Sequence, residues 1–491
     1  MSPTTAGIRS IAARNLINGL WSDAGSVHES INPSTGDVVG TYVSAGRPEA
    51  QAAVASARTA FDTTGWSRHA SLRARALDEL ADRLAERVPD LGRTLARENG
   101  KLLQQTTWEV ALSVDWLRYS AASALTQIAG RAGEPEPGAY FHSTPEAMGV
   151  AGIIAPWNSP VILLVRALGP ALGAGCTTVV KMPGQTGLTN ALFAEAVAAT
   201  KSLPAGVVNV LTEAGNEVAP FLVESPDVDV LSYTGSTHVG RAIAAAAART
   251  LKRVNLELGG KTPMIVFDDA DLDVVVPQLV MSCILMNGQY CCTGSRVLAQ
   301  RGIADELRTR LAAALEAVKV GPAEDPSSQL GPLIDKAGVA RVDHVVEEAA
   351  SYAKVIVRGG PVTDPELAGG AFYRPSLVEV EQLDVPLVQQ EVFGPVQTFE
   401  VFDDEADAIH RANATQFGLA ASVFTRSDLR ARRVGRELRF GGVWFNTWGV
   451  LSEHFEQGGF KQSGYGLLCG LAAITEFQNL KTYATAASQL A

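Results

Sequence analysis

A chain of 491 residues exceeds one ordinary hydrophobic core and predicts about three folding units. Hydrophobic residues make up 46% and charged residues 19%, a globular balance that excludes disordered and collagenous chains. With 41 Lys and Arg against 52 Asp and Glu, the net charge of −11 repels phosphate backbones and acidic lipid. Nucleic acid and membrane are therefore not expected as partners.

Residues 1–21 mix Arg9, Arg14 and Asn15 with short apolar pieces, and no continuous apolar segment marks a secretory leader. The most apolar stretch, 149–180, is interrupted by Pro156, Asn158, Pro160 and Arg166. It falls short of the roughly 18 apolar residues that a membrane-spanning helix requires. Five cysteines (Cys176, Cys283, Cys291, Cys292 and Cys469) form an odd set without regular spacing, which argues against a disulfide framework. No CxxC occurs, and the seven His residues make no HxxxH or HExxH pair, so no metal is expected. The expectation is a cytoplasmic enzyme.

From Pro48 to about Gln127 apolar residues recur at helical spacing. Ala76, Leu77, Leu80, Ala81 and Leu84 make one such face, opposite Arg75, Asp78, Asp82 and Glu86. Gly and Pro cluster over 130–138, and Ala139 to His142 then read as extended. From Gly149 onward buried-strand runs alternate with helices. The strands are expected at Val150–Ile154, Thr177–Lys181, Val207–Leu211, Val228–Tyr233 and Met264–Phe267, with helices at Leu188–Thr200 and Val239–Thr250. A second series follows at Arg296–Gln300, Val355–Val357, Pro375–Val380, Thr398–Val401 and Ala421–Thr425, and Leu480–Ala484 suggests an edge strand. This alternation predicts an α/β fold with parallel sheets covered by helices on both faces.

No GxGxxG opens a helix, so the ordinary dinucleotide fingerprint is missing. Asn255 to Thr262 ends like a P-loop, but Asn255 stands where Gly is required, and the run is read as a decoy. Tyr233-Thr234-Gly235-Ser236-Thr237 follows a buried strand and opens a helix. It is either an anion-binding turn or a plain N-cap. Tyr290, Cys291 and Cys292 lie in a Gly-flanked turn, where a thiol is both reachable and open to activation as thiolate; an inert pair is the alternative. Glu257 is an acid among apolar residues just before Gly259 and Gly260. Burial there would raise its pKa and suit it to general-base work, unless it only caps those glycine amides.

In this order the motifs closely resemble the NAD(P)-dependent aldehyde dehydrogenase superfamily, over nearly the whole chain. The resemblance runs through Ile31-Asn32-Pro33-Ser34-Thr35-Gly36, Pro156-Trp157-Asn158-Ser159-Pro160 and Tyr233 to Thr237. It continues through Glu257-Leu258-Gly259-Gly260-Lys261, Gly288-Gln289-Tyr290-Cys291 and Glu391-Val392-Phe393-Gly394-Pro395. Cys291 follows Glu257 by 34 residues, as in the family. The resemblance implies that Cys291 is the nucleophile, that Asn158 stabilises the oxyanion and that Glu257 activates water, so that an aldehyde becomes a carboxylic acid. The Glu at 257 favours hydrolysis over acyl transfer to coenzyme A. For the cofactor, NAD or NADP, it implies Ala155, Pro156, Trp157 and Gly215 along the cleft and Lys181 at the adenosine ribose. Ser236 and Val239 would lie by the pyrophosphate, and Glu391 and Phe393 by the nicotinamide ribose.

It further implies a Rossmann-variant cofactor domain over 1–127 and 148–259, a catalytic α/β domain over 260–462 and a return segment over 463–477. An oligomerisation element would combine 128–147 with 478–491, giving homodimers or homotetramers. Three positions depart from the family pattern. Gly184 stands where NAD-preferring members carry an acid, so NADP is expected to be tolerated. Ala167 and Leu468 replace a Lys and a Glu used as an outer proton relay. Arg166 occupies the position of an Arg that holds the substrate carboxylate in succinic semialdehyde dehydrogenases, although Leu285 stands where a second Arg would be. Arg166 could equally pack against an acid such as Glu453, and Tyr290, Cys292, Trp448 and Phe455 suit an aromatic or medium-sized aldehyde. The rival classes are a cysteine hydrolase pairing Cys291 with a distant His such as His454, and a non-catalytic scaffold of the same fold.

Overall fold

Long β-branched runs with both faces covered form the two sheets that organise the molecule. A computed structural model describes residues 13–126 and 129–486. Arg9 and the rest of 1–12, together with 127–128 and 487–491 at the ends of the expected units, lie outside the described residues.

The first sheet centres on five parallel strands in the spatial order Val208–Glu213, Thr177–Pro183, Val150–Ile154, Val230–Thr234 and Arg253–Glu257. Antiparallel pieces finish its edges, Asn15–Ile17 with Leu20–Ser22 on one side and Gly464–Tyr465 on the other. Every residue of Val150–Ile154 is buried, as a strand with helices on both faces must be. Leu77, Leu80, Leu117, Leu164, Leu168 and Phe193 cover one face from four helices. Ala53, Val54, Leu222 and Ile243 cover the other.

Strand order reverses beside Val150–Ile154. The chain steps outward through Thr177–Pro183 and Val208–Glu213, then crosses back to Val230–Thr234 on the opposite side. The carboxyl ends of the two strands flanking such a reversal splay apart into a crevice. Ala155, Pro156, Trp157 and Asn158 leave one lip of it, and Gly235 and Ser236 leave the other.

The second sheet has seven strands in the order Lys354–Val357, Ser376–Glu379, Val396–Phe402, Arg296–Gln300, Pro263–Val266, Ala420–Phe424 and Gly442–Phe445. All neighbours are parallel except the Lys354–Val357 edge. Across two central strands Arg296 donates from Nε and Nη2 to the two carboxylate oxygens of Glu400, each at 2.7 Å, both side chains fully buried. The paired geometry compensates the desolvation of both charges. Gln478–Ala486 lies antiparallel to Ala139–Ala147, which also pairs with Ala132–Glu136. No helix among the described residues is long and apolar enough to cross a membrane.

The expected strands of both series occur, most shifted by one or two residues at an end. The Ser26–Ile31 and Val38–Ser44 hairpin was not expected: Ser26–Ile31 is almost wholly exposed, and Val38–Ser44 buries only Tyr42, Val43 and Ser44.

Candidate active site

The turn that carries the cysteines is wound against its own preference and pinned there. After the Leu272–Ile284 helix, Met286, Asn287 and Gly288 adopt positive φ of 52°, 60° and 71°. Asn287 holds this shape from within: its Nδ2 donates to the carbonyls of Gly100 at 2.9 Å and Pro332 at 2.7 Å, and its Oδ1 accepts from Gly331 N–H at 2.9 Å. Position 288 must be glycine, since a Cβ there would sit 2.4 Å from the backbone of Gly394 and Pro395. The turn delivers Tyr290, Cys291 and Cys292 into a pocket of about 910 Å³ including its open mouth.

Asn158 reaches the same turn from the first sheet, its Nδ2 donating to the Gln289 carbonyl at 3.0 Å, two residues before Cys291. Its position follows from the start of the Pro160–Ala174 helix. Glu109 Oε1 accepts from Val161 N–H at 3.1 Å and Ile162 N–H at 3.4 Å. Lys101 pairs with the other oxygen of Glu109 and donates to Ser159 Oγ at 3.0 Å. Asn99 Nδ2 donates to the Asn158 carbonyl at 3.4 Å. None of Asn99, Lys101 or Glu109 was read from the sequence, where they look like ordinary helix polar residues.

Glu257 ends its strand facing the pocket, with a side chain 5% exposed. Its Oε2 lies 3.5 Å from Arg166 Nη1, and its Oε1 has no hydrogen-bond partner among the described residues. Burial pushes its pKa up to about 7, against the opposing pull of Arg166. Arg166 also donates to Gln457 Oε1 at 3.3 Å and Thr234 Oγ1 at 3.4 Å. The suggested Glu453 partner is therefore corrected: Arg166 pairs with Glu257, while Glu453 lies 3.3 Å from His454.

His454 packs edge-on against Tyr119 and is not among the pocket-lining residues, so a Cys291–His454 pair is not assembled in this pocket. Phe455 also stays outside, largely exposed, and Trp448 supports the turn by donating from Nε1 to the Cys292 carbonyl at 2.9 Å. Three tryptophans that the sequence reading missed, Trp108, Trp116 and Trp444, line the pocket instead. Trp108 and Trp116 are two turns apart on the Leu103–Ala124 helix, a spacing that on its own reads as ordinary packing.

Cys291 and Cys292 sulfurs are 4.0 Å apart. The Cys292 thiol beside it, and then burial, hold the Cys291 thiol well above its ordinary range, with Arg166 pulling the other way. Attack by this sulfur requires the thiolate, so a base must take its proton. Ala167 and Leu468 are buried and carry no exchangeable side-chain proton.

The crevice at the strand reversal fits a dinucleotide. Space is open within 4 Å of where a Gly215 Cβ would stand. Ser236 caps the Thr237–Ala247 helix, its Oγ accepting from Val239 N–H at 3.3 Å, and the helix N-terminus faces the crevice, where an anion is favoured. Trp157, after Ala155 and Pro156, meets Phe393 edge-on with ring centroids 5.5 Å apart. Glu391 Oε1 accepts from Gly260 N–H at 3.3 Å, and burial raises this carboxyl to about 7. Lys181 sits 3.9 Å from Glu213, an acid that was not read from the sequence, and Gly184 is close by. Lys261, from the rejected P-loop, is buried with Glu391 and Glu400 as its opposing carboxylates.

A sequence profile of the aldehyde dehydrogenase family matches residues 21–483. Glutarate-semialdehyde dehydrogenase of Pseudomonas putida is 35% identical over 475 residues, 95% of this chain and 96% of the relative. Mitochondrial succinate-semialdehyde dehydrogenase of Oryza sativa is 36% identical, over 96% of this chain and 89% of the relative. A crystal structure of betaine aldehyde dehydrogenase from Staphylococcus aureus in complex with NAD+ superimposes with a TM-score of 0.95 at 31% identity, covering 98% of this chain and 96% of that one. The motif order, the crevice and the pocket agree with these likenesses, and the chain belongs to the aldehyde dehydrogenase family.

Proposed function

We propose that this aldehyde dehydrogenase converts an aldehyde with an aromatic or medium-sized apolar body into its carboxylic acid, with Cys291 as nucleophile, Asn158 as oxyanion donor and Glu257 as general base. One observation carries the reading: Cys291, Glu257 and Arg166 line a single pocket whose other walls include Trp108, Trp116, Tyr290 and Trp444. The resting Cys291 thiol must lose its proton, and Glu257, with a pKa near 7, is the acceptor facing the same pocket.

Attack of sulfur on the carbonyl carbon forms a thiohemiacetal. The Asn158 side-chain amide and the Cys291 N–H stabilise its oxygen, each such donor contributing on the order of 3 kcal/mol. Bound nicotinamide dinucleotide supplies the hydride acceptor. Once hydride has left the thiohemiacetal carbon, a thioester remains on Cys291. Glu257, its first proton passed on to solvent, takes a second from water. The resulting hydroxide adds to the thioester carbonyl, the C–S bond breaks to release the acid, and the departing thiolate takes the proton back from Glu257 to restore the thiol. With Ala167 and Leu468 in place of a relay, the first proton leaves Glu257 through water in the pocket.

Arg166 has its charge matched by Glu257, which leaves the aromatic walls to choose the substrate. Arg166 Nε, buried and without a partner among the described residues, favours a second reading: an aldehyde that carries a carboxylate. The names of the two semialdehyde relatives are in keeping with it. Comparing kcat/KM for phenylacetaldehyde and hexanal with that for succinic and glutaric semialdehydes separates the two. The apolar substrates are expected to lead by at least about tenfold, and the reverse order would replace the first reading with the second.

The Gln478–Ala486, Ala139–Ala147 and Ala132–Glu136 sheet is proposed as the surface that joins copies into homodimers or homotetramers. Five free thiols fit a reducing, cytoplasmic compartment.

A further inference from the structure

Gly184 alone leaves the cofactor's ribose unguarded, but the neighbouring strand brings a carboxylate to the same place. Thr177–Pro183 and Val208–Glu213 run parallel in a register that pairs Pro183 with Glu213. Lys181 and Glu213 extend from these strands until Nζ and Oε2 are 3.9 Å apart, with side chains 15% and 1% exposed. Glu213 is held from its other oxygen, which accepts from the N–H groups of Glu217 and, at 2.7 Å, Val218. Its Oε2 is buried and has no hydrogen-bond partner among the described residues.

Position 184 cannot supply an acid of its own. A Cβ there would lie 2.5 Å from the Tyr42 hydroxyl, 2.8 Å from Ala214 Cα and 3.1 Å from the Glu213 carbonyl oxygen. Two of those three atoms are backbone, so they do not move aside cheaply. The negative charge at this end of the crevice comes from Glu213, one strand over.

We infer that Glu213 sets the enzyme's choice between NAD and NADP: by engaging Lys181 it leaves that ammonium without a free charge for a 2′-phosphate and makes the site selective for the 2′-hydroxyl. The inference rests on the family reading that Lys181 lies at the adenosine ribose. Buried charges interact through a lower effective dielectric than exposed ones, so a carboxylate fixed 3.9 Å from Lys181 both neutralises it and repels a phosphate dianion brought close to it. Gly184 sets no carboxylate against a phosphate, and Glu213 takes away the charge that would hold it there.

Calorimetric titration of the enzyme with 5′-AMP and with adenosine 2′,5′-bisphosphate reads this choice without turnover. Wild type is expected to bind 5′-AMP at least about tenfold more tightly. Glu213→Gln keeps an oxygen to accept from Glu217 and Val218 while removing the charge, and it should narrow that ratio by about tenfold or more. The NAD-to-NADP ratio of kcat/KM should move in parallel. Equal binding of the two nucleotides by wild type would overturn the inference, as would an unchanged ratio in folded Glu213→Gln protein. Should that variant not fold, the wild-type ratio decides by itself. If neither nucleotide binds while NAD-dependent turnover persists, Lys181 is not at the ribose and the family reading of this subsite fails with the inference.

Discussion

Glu257 and Cys291 both have pKa values raised in the resting enzyme, and Arg166 opposes both shifts. Burial disfavours the Glu257 carboxylate and Arg166 favours it, leaving the group near 7. A general base works deprotonated, so the hydrolytic step should rise through about pH 7 and level off above it. Removing Arg166 takes away the stabilising charge and so raises Glu257 further. In Arg166→Met the ascending limb of the kcat profile is expected to move up by about one pH unit, and Arg166→Lys should recover most of the shift. A limb that stays in place would mean that Arg166 does not hold Glu257. The motifs singled out Cys291, Glu257 and Asn158 as candidates, but not what Arg166 pairs with. An ion pair is made between side chains brought together by strands and helices far apart in the chain, and spacing carries no record of it. Glu213 went unread for the same reason.

The element that matters most for Asn158 is the Pro160–Ala174 helix, whose first amides are satisfied by Glu109 rather than by a side-chain cap of its own. Lys101 and Glu109 are both fully buried, so each depends on the other for its charge. Glu109→Gln leaves the Lys101 ammonium buried and unpaired, and is expected to destabilise the protein by about 3–5 kcal/mol in a denaturant titration. A loss within about 0.5 kcal/mol would mean that the pair does not hold the helix start. Element identity was mostly legible before the fold was known. Runs such as Val150–Ile154 and Pro263–Val266 are strands because both faces are covered, and continuous apolar sequence reports that directly. The Ser26–Ile31 and Val38–Ser44 hairpin was not legible, because Ser26–Ile31 has little burial to report and Val38–Ser44 buries three consecutive residues rather than alternate ones. Trp108 and Trp116 were hidden too, since helical spacing does not distinguish a residue facing a cavity from one facing a core.

At the scale of the molecule, the reversal of strand order and the cysteine turn bring a dinucleotide crevice and a substrate pocket together around Asn158, Glu257 and Cys291. The three-stranded sheet stands apart from both, with Phe141 and Leu480 exposed on one face and Tyr140 and Tyr483 on the other. Exposed apolar residues of that kind on a sheet are a surface for pairing. Replacing Phe141 and Leu480 by Lys is expected to lower the mass measured by light scattering from that of a dimer or tetramer to that of one chain, whereas an unchanged mass would put the interface elsewhere. The central claim concerns Cys291, and the acyl group it should carry offers the most direct check. Wild-type protein, mixed with aldehyde and NAD and acid-quenched at intervals through the first turnover, can be mapped by peptide mass spectrometry. The account predicts an adduct on Cys291 equal in mass to the substrate less two hydrogens, formed with the first hydride transfer and lost as hydrolysis proceeds. No adduct, an adduct on Cys292 alone, or undiminished oxidation by Cys291→Ser would contradict it.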